Sequence, residues 1–307
     1  MFKCLIVKTE IGTKPIAGSF SFCFVKMELG LKTAKGLSRK DFEVEEAGTR
    51  RLGRSILSWK TDQGLVRSRN EDSLYAEGPE NRLASHGQLC LVADGMGGHP
   101  AGDVASALAR EGVSETYYGT RLDEDEDPVP LLRVAFREAN RRILDEGRQH
   151  SERFGLGTTC TALLFRRDRF WLAHVGDSRA YLLRAGELRQ LSRDHTLSER
   201  WIAEGKMSRE ELEKGRRPAG LVDYLGKNDQ PRADFSRQPR EMREGDRFLL
   251  CSDGLSNMLP VAELKALLRA GDTEAAAAAL VAAANEHGGR DNISVIVADP
   301  LGGGGAS

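Results

Sequence analysis

Three short runs constrain the fold more than anything else in the chain: "GQLCLVAD" (87–94), "DRFLLCSD" (246–253) and "NISVIVAD" (292–299). The apolar stretch in each is near-continuous rather than alternating, and far too short for a membrane helix. Such runs are buried strands, and "GQLCLVAD" in particular calls for cover on both of its faces. Helical spacing marks other segments. Val104, Ala105 and Leu108 form one stripe and Leu132, Ala135, Phe136, Ala139 and Ile143 another, with Pro128 and Pro130 placed to start the second helix. "VAELKALLRA" and "TEAAAAALVAAANEH" read as helices, and "SILSW" as a strand. Between residues 158 and 192, "TTCTALLF", "FWLAHVG", "RAYLLR" and "ELRQLS" read as a meander of antiparallel strands. Strands and helices therefore come in blocks. That predicts packed sheets with flanking helices, an α+β fold, rather than a parallel doubly wound one.

The chain has 307 residues, enough for one large core or two smaller ones. Its 45 Lys plus Arg offset 46 Asp plus Glu, so no global field attracts nucleic acid or an anionic membrane. No uncharged run reaches the roughly 18 residues a membrane span needs. Five scattered cysteines, without C-x-x-C spacing, read as small core residues of a reducing compartment. The first 27 residues carry Lys8, Glu10, Lys14 and Pro15 where a secretory signal needs an apolar stretch, and a cytoplasmic location is expected. Residues 1–52 read as a weakly structured extension, with Met27 an alternative start, 53–300 as the main domain and 301–307 as a flexible tail.

Three chemistries are suggested by the sequence and rejected by it. Cys160 to Arg166 has C-x5-R spacing, but the intervening Thr-Ala-Leu-Leu-Phe is a strand whose N–H groups are committed to a ladder and cannot wrap a phosphate. Asp123, Asp125 and Asp127 imitate a calcium loop, yet Pro128 replaces the turn glycine and Val134 the bidentate glutamate. "DGMGGH" lacks the lysine of a nucleotide-binding loop. What remains is a set of acids at strand ends: Glu71 and Asp72 in "RSRNEDS", Asp94, Asp177 in "HVGDSRA", Asp253, and Asp291 in "GGRDNISVIVAD". Each alone suits a turn or cap. Together at one end of a sheet they would repel one another unless cations neutralised them. Oxygen donors without His or Cys select hard ions such as Mg²⁺ or Mn²⁺. A glycine after the ligand aspartate lets the backbone approach closely enough for its carbonyl to join.

"GLVRSRNEDS", "LVADGMGGH", "GTTCTALL", "HVGDSRAYLLR", "LLCSDGL" and "GGRDNISVIVAD", in this order and spacing from about residue 55 to 299, resemble the metal-dependent serine/threonine protein phosphatases (the PPM or type 2C family) in their bacterial form. The resemblance implies a four-layer α-β-β-α sandwich of two mainly antiparallel sheets, with a dinuclear Mg²⁺/Mn²⁺ centre at one end. By position, Asp94 would bridge both ions, Asp253 and Asp291 would complete the first, and Glu71 with the Gly95 carbonyl would hold the second. Asp177 with Asp253 would form a third, weaker site, and Asp72 would orient metal-bound water. Arg67 matches the phosphate-binding arginine, whose planar guanidinium can grip two phosphoryl oxygens. The family's hydrolysis of phosphoserine and phosphothreonine proceeds by direct attack of metal-activated water. It implies phosphorylated proteins as substrates, a cognate Ser/Thr kinase as the opposing enzyme, and no nucleic acid or membrane partner.

Two departures from the pattern stand out. Met96 occupies the position where some relatives carry a histidine, and His99 lies three residues further on. The insertion 194–235, matching the family's flap, contains "RRPAGLVDYLG", which departs from the usual flap ending in a polar run; its Arg216 and Arg217 suit a solvated basic turn or the steering of phosphopeptides. Alternatives to the enzyme reading are a pseudophosphatase that binds phosphoproteins, and a hydrolase of small phosphoesters. All the matched acidic positions are filled, which favours the enzyme.

Overall fold

Alternation along each strand decides which residues meet. A computed structural model of the protein describes residues 46–96, 101–213, 218 and 220–302. In chain order, β1 (Ala47–Leu52) and β2 (Ser55–Asp62) form a hairpin, followed by β3 (Asp72–Glu77), α1 (Leu83–His86), β4 (Gln88–Met96) and the long helices α2 (Gly102–Gly119) and α3 (Val129–Gln149). Next come β5 (Gly157–Thr158), β6 (Cys160–Arg166), β7 (Arg169–Val175), β8 (Arg179–Arg184), β9 (Glu187–Gln190), α4 (Leu197–Ala203), α5 (Arg209–Glu213), β10 (Asp234–Phe235) and β11 (Arg240–Glu241). β12 (Arg247–Cys251), α6 (Asp253–Ser256), α7 (Val261–Arg269), α8 (Thr273–Glu286) and β13 (Ile293–Asp299) complete the order.

The strands form two antiparallel sheets. One has the order β1-β2-β13-β12-β8-β9, and the other β10-β7-β6-β4-β3, with β5 extending the end of β4 and β11 paired to β7. Odd-numbered residues of β4 (Leu89, Leu91, Ala93) pack under Val104 and Leu108 of α2 and Phe136 of α3. Its even-numbered residues (Cys90, Val92) face the opposite sheet, where Leu250 and Ile296 meet them. Phe165 and Phe170 stand edge-on to Phe248 across this gap, at centroid distances of 5.0 and 4.9 Å. The outer face of the first sheet, Leu249, Val295 and Val297, is covered by Leu264 of α7 and Leu280 of α8. The result is the expected four-layer α-β-β-α sandwich, with the apolar run of β4 covered on both faces as its composition requires. Cys90, Cys160 and Cys251 are fully buried free thiols, one in each of the three core layers.

The space between the sheets changes character along its length. At one pole it is lined by Leu57, Phe165 and Phe248; toward the other, the same inward-facing positions become Thr61, Ser252, Ser294, Asp72 and Asp94. The strands therefore deliver their terminal polar side chains to one end of a closed apolar sandwich.

Three expectations need correction. Ala47–Leu52, read as part of a weakly structured extension, form an edge strand hydrogen-bonded along β2; its residues alternate between exposed and half-buried, so it lacks the continuous apolar run that marks a buried strand. Residues 1–45 lie outside the described residues, as does the tail from 303. Leu301, placed in a flexible tail, packs against the inter-sheet core. The strands of residues 158–192 are not one meander: β6 pairs with β7 and β8 with β9, but the chain crosses from one sheet to the other at Gly176–Ser178. Local alternation does not distinguish a hairpin turn from a sheet-to-sheet crossing. Among the described residues no helix is long and apolar enough to cross a membrane.

Candidate active site

The register of β3 against β4 pairs Asp72 directly with Asp94. Both continue the inward-facing rows Leu74–Ala76 and Cys90–Val92, so their carboxylates face one another at the polar pole. Asp253 enters from the first turn of α6, just past β12, and Asp291 from the segment before β13, strands that are hydrogen-bonded neighbours. Asp177 sits in the crossing between β7 and β8. Five carboxylates from distant points in the chain thus converge.

Their protonation records this crowding. Burial, then the charges of Asp72, Asp253, Asp177 and Asp291, push Asp94 well above the usual carboxylate range. Burial also raises Asp72 to about 7, against a lesser opposing pull from the Ser294 and Ser252 hydroxyls. Neither hydroxyl is committed to it: Ser294 Oγ shares a 2.6 Å hydrogen bond with Thr61, and Ser252 Oγ donates to the Asn292 carbonyl. Both Asp72 oxygens are consequently buried without a hydrogen-bond partner of normal geometry. Asp177 is lifted to about 7 by burial and then by Asp253, and Asp253 is raised by burial and Asp291 while lying within hydrogen-bond reach of Asp94. Although Asp94, Asp177 and Asp253 reach solvent at the mouth, protein crowds their carboxyl groups.

The backbone around these acids is pinned. Asp94 N–H donates to Thr159 Oγ1 and the Asp94 carbonyl accepts the Thr159 N–H, both at 2.9 Å. Asn292 organises the loop carrying Arg67 and Glu71: its Nδ2 donates to the carbonyls of Gln63 and Arg69, and its Oδ1 accepts the Glu71 N–H, all at 2.8 Å. Asn257 Nδ2 donates to Asp253 Oδ2 at 3.1 Å. Sequence reasoning assigned no role to Thr159, Asn257 or Asn292. The "GTTC" and "RDN" stretches were legible as motifs, but nothing in spacing says which backbone groups a side chain will reach.

The donor set fits hard divalent cations. It is all oxygen, the neighbouring Asp72 leaves both its oxygens orphaned, and positive charge would relieve the anionic repulsion. The Gly95 carbonyl and the Glu71 carboxylate also meet at one place: a methyl group built on Gly102 would stand 2.8 Å from Glu71 Oε2 and 3.0 Å from the Gly95 oxygen. Burial, followed by the charge of Asp103, raises the Glu71 pKa. Among the described residues, no three acidic, His or Cys side chains form a finished cage. Two of the carboxylates have side-chain partners: Asp253 accepts from Asn257, and Asp291 pairs with Arg67. Arg67 Nη2 donates to Asp291 Oδ2 at 2.6 Å, an ion pair half-open to solvent that also raises the arginine pKa. Arg67, expected at a phosphate, is thus beside the cluster but turned to Asp291. His99, Arg216 and Arg217 lie outside the described residues.

Two of the three rejected motifs are structural. Cys160 is buried in β6, its thiol pushed up by burial, and Arg166 donates to the carbonyls of Ser85 and Glu126. Asp123 and Asp125 pair with Arg121 and Arg167 in an exposed loop.

A pH dependence follows from the crowding. A carboxylate with a folded pKa above its unfolded value binds more protons folded than unfolded, so stability falls as pH rises toward and through the folded value. In a chelator, the thermal midpoint should be higher at pH 6 than at pH 8, with about 1 kcal/mol from Asp72 alone. His174, held neutral by burial with a pKa of about 4, opposes this up to the ordinary histidine value near 6.5 and so offsets part of the effect at the acidic edge of the window, where Asp177, also raised to about 7, adds to that of Asp72. An equal or higher midpoint at pH 8 would contradict the assignment.

Comparison with known proteins meets this geometry. A Protein phosphatase 2C family model matches residues 67–284. The serine/threonine protein phosphatase PstP of Mycobacterium tuberculosis is 38% identical over 244 residues, covering 78% of this chain but 44% of that protein, so the chain aligns with less than half of that relative's length. The serine/threonine phosphatase stp of Listeria monocytogenes is 35% identical over 78% of this chain and 94% of its own. In three dimensions, the crystal structure of the PstP catalytic domain with two manganese ions superposes with a TM-score of 0.66 at 37% identity, covering 80% of this chain and 97% of that one. Another crystal structure of the M. tuberculosis protein gives 0.68 at 36% identity, covering 80% and 98%. The sandwich, the acids at its polar pole and these likenesses coincide along the same stretch of sequence, and the chain belongs to the protein phosphatase 2C family.

Proposed function

We propose that this protein hydrolyses phosphoserine and phosphothreonine in phosphorylated proteins, opposing a Ser/Thr kinase, with two divalent ions, Mn²⁺ or Mg²⁺, held at the polar pole and a third held more weakly. The observation that carries the reading is the convergence of Asp72, Asp94, Asp177, Asp253 and Asp291, where burial and crowding raise the proton affinity of the first four. In this reading Asp94 would be shared between two ions, Asp253 and Asp291 would help hold the first, and Glu71 and the Gly95 carbonyl the second. Asp177 and Asp253 would help hold the third. When bound, such ions act as Lewis acids toward phosphoryl oxygens and lower the pKa of water. The chain's own contribution is preorganisation. Thr159 and Asn292 fix the backbone beneath the ligands, so little reordering opposes binding. Asp72, buried and proton-rich, holds or accepts a proton beside the reacting end. Arg67, half exposed, exchanges Asp291 for the phosphoryl group of the substrate.

The test is release of phosphate from phosphothreonine and phosphotyrosine peptides, with Mn²⁺ and with chelator, for wild type and Asp253→Asn. Turnover of the threonine peptide, abolished by chelator and lowered at least about 100-fold by the substitution, is the expected result. Equal turnover with chelator, or an unaffected variant, would overturn the proposal.

A further inference from the structure

We infer that His195 is a positioning residue that sets the turn carrying Asp177 from the neck of the flap. The inference rests on the proposed role of Asp177 as a ligand. His195 grips Gly176, the residue before Asp177, at both backbone groups: its N–H donates to the Gly176 carbonyl at 2.7 Å, and its Nδ1 faces the Gly176 N–H at 3.4 Å. Its Nε2 lies 3.3 Å from Asp234 Oδ2. A carboxylate accepts, so the network places the proton on Nε2 and leaves Nδ1 as the acceptor that the Gly176 N–H requires. The ring is mostly buried against His174, at a centroid distance of 4.8 Å, which fixes its orientation.

Gly176 needs such a grip. Its φ of +110° is open to glycine alone, and a Cβ there would strike the Thr159 side chain. Thr159 is the residue that clamps Asp94, and its hydroxyl also shares a 2.7 Å hydrogen bond with Ser178. The turn is therefore held from the Asp94 side by Thr159 and Ser178, and from the flap side by His195.

The same histidine closes the flap's neck. Its carbonyl accepts the Val222 N–H at 2.7 Å, Thr196 bridges Leu221, and Leu197 N–H donates to the Gly220 carbonyl at 3.0 Å. Beyond Val222, Leu225 bridges Thr158, which pairs with Gly95. A shift of the neck would thus reach the Asp177 turn through His195 and the Gly95 end of β4 through Thr158. Hydrogen-bonded groups one step behind a metal ligand typically govern affinity about 10-fold or more.

Mn²⁺ binding to the full chain, followed by calorimetry and by the electron paramagnetic resonance of free Mn²⁺, tests this without reference to turnover. Wild type is expected to show tight binding plus a weaker step that Asp177→Ala removes. His195→Ala should weaken that step about 10-fold and leave the tight binding unchanged. His195→Asn, whose Oδ1 can take the place of Nδ1, should restore most of it. In the Asp177→Ala background, His195→Ala should add nothing. A weaker step untouched by His195→Ala, an equal loss at every step, or an asparagine variant as poor as alanine would overturn the inference while leaving the proposed function intact. A wild type with no Asp177-dependent step would instead remove the ligand role of Asp177, and this inference with it.

Discussion

Replacing Asp94 by asparagine is expected to lower kcat about 10³-fold and, in chelator, to raise the thermal midpoint. The first effect follows from the proposed sharing of Asp94 between two ions. Removing its charge weakens both together, at the upper end of what one preorganised charged group supplies. The second has a different origin. Asp94 stands opposite Asp72 across β3 and β4 and within the field of three more carboxylates, all at an energetic cost to the folded chain. Asparagine keeps the shape and removes the repulsion, so activity and stability should move in opposite directions. Steady-state kinetics with Mn²⁺ and thermal unfolding in chelator measure the two. A variant within 10-fold of wild-type turnover, or one that unfolds earlier than wild type, would show that Asp94 is a structural residue and not the shared ligand.

The largest purely structural effect is expected at the opposite pole. Arg247 is 1% exposed, pairs through Nε and Nη2 with Asp299 at 2.8 and 2.7 Å, and donates Nη1 to the carbonyls of Leu268 and Gly271 at the end of α7. Arg247→Leu leaves the Asp299 carboxylate buried and unpaired, and strips partners from two carbonyls. The expected cost is about 3–5 kcal/mol, or roughly 10 °C in the thermal midpoint for a domain of this size. Arg247→Leu with Asp299→Leu should recover much of that loss, because the pair's desolvation cost disappears with it. Since Arg247 begins β12 and Asp253 follows its far end, turnover at 25 °C should be unchanged in the single variant as long as it is folded. A loss below about 1 kcal/mol would mean that the buried pair contributes no more than an exposed one.

Arg247 marks the limit of what a one-dimensional reading can find. In "DRFLLCSD" it reads as a polar residue flanking a strand, although strand periodicity puts it on the same face as Leu249 and Cys251, under α7 and α8. What makes it important is Asp299, 52 residues away on the neighbouring strand. His195 is similar: "RDHTL" reads as the start of a polar insertion, and only the return of the chain at Val222 and Asp234 makes it a neck.

Most of the elements, their grouping into packed sheets with flanking helices, and the acids at strand ends were legible in one dimension, the edge strand β1 excepted. Continuous apolar runs had to be buried on both faces, helical stripes had to cover them, and the carboxylates stood where those runs ended, because period and polarity are local properties of the chain. Tertiary structure alone decided which acid faces which: Asp72 against Asp94, Asp177 through a crossing that looked like a hairpin, and Arg67 on Asp291. Those pairings depend on strand register and sheet order, which are fixed by packing between segments as far as 224 residues apart and by no pattern within either one.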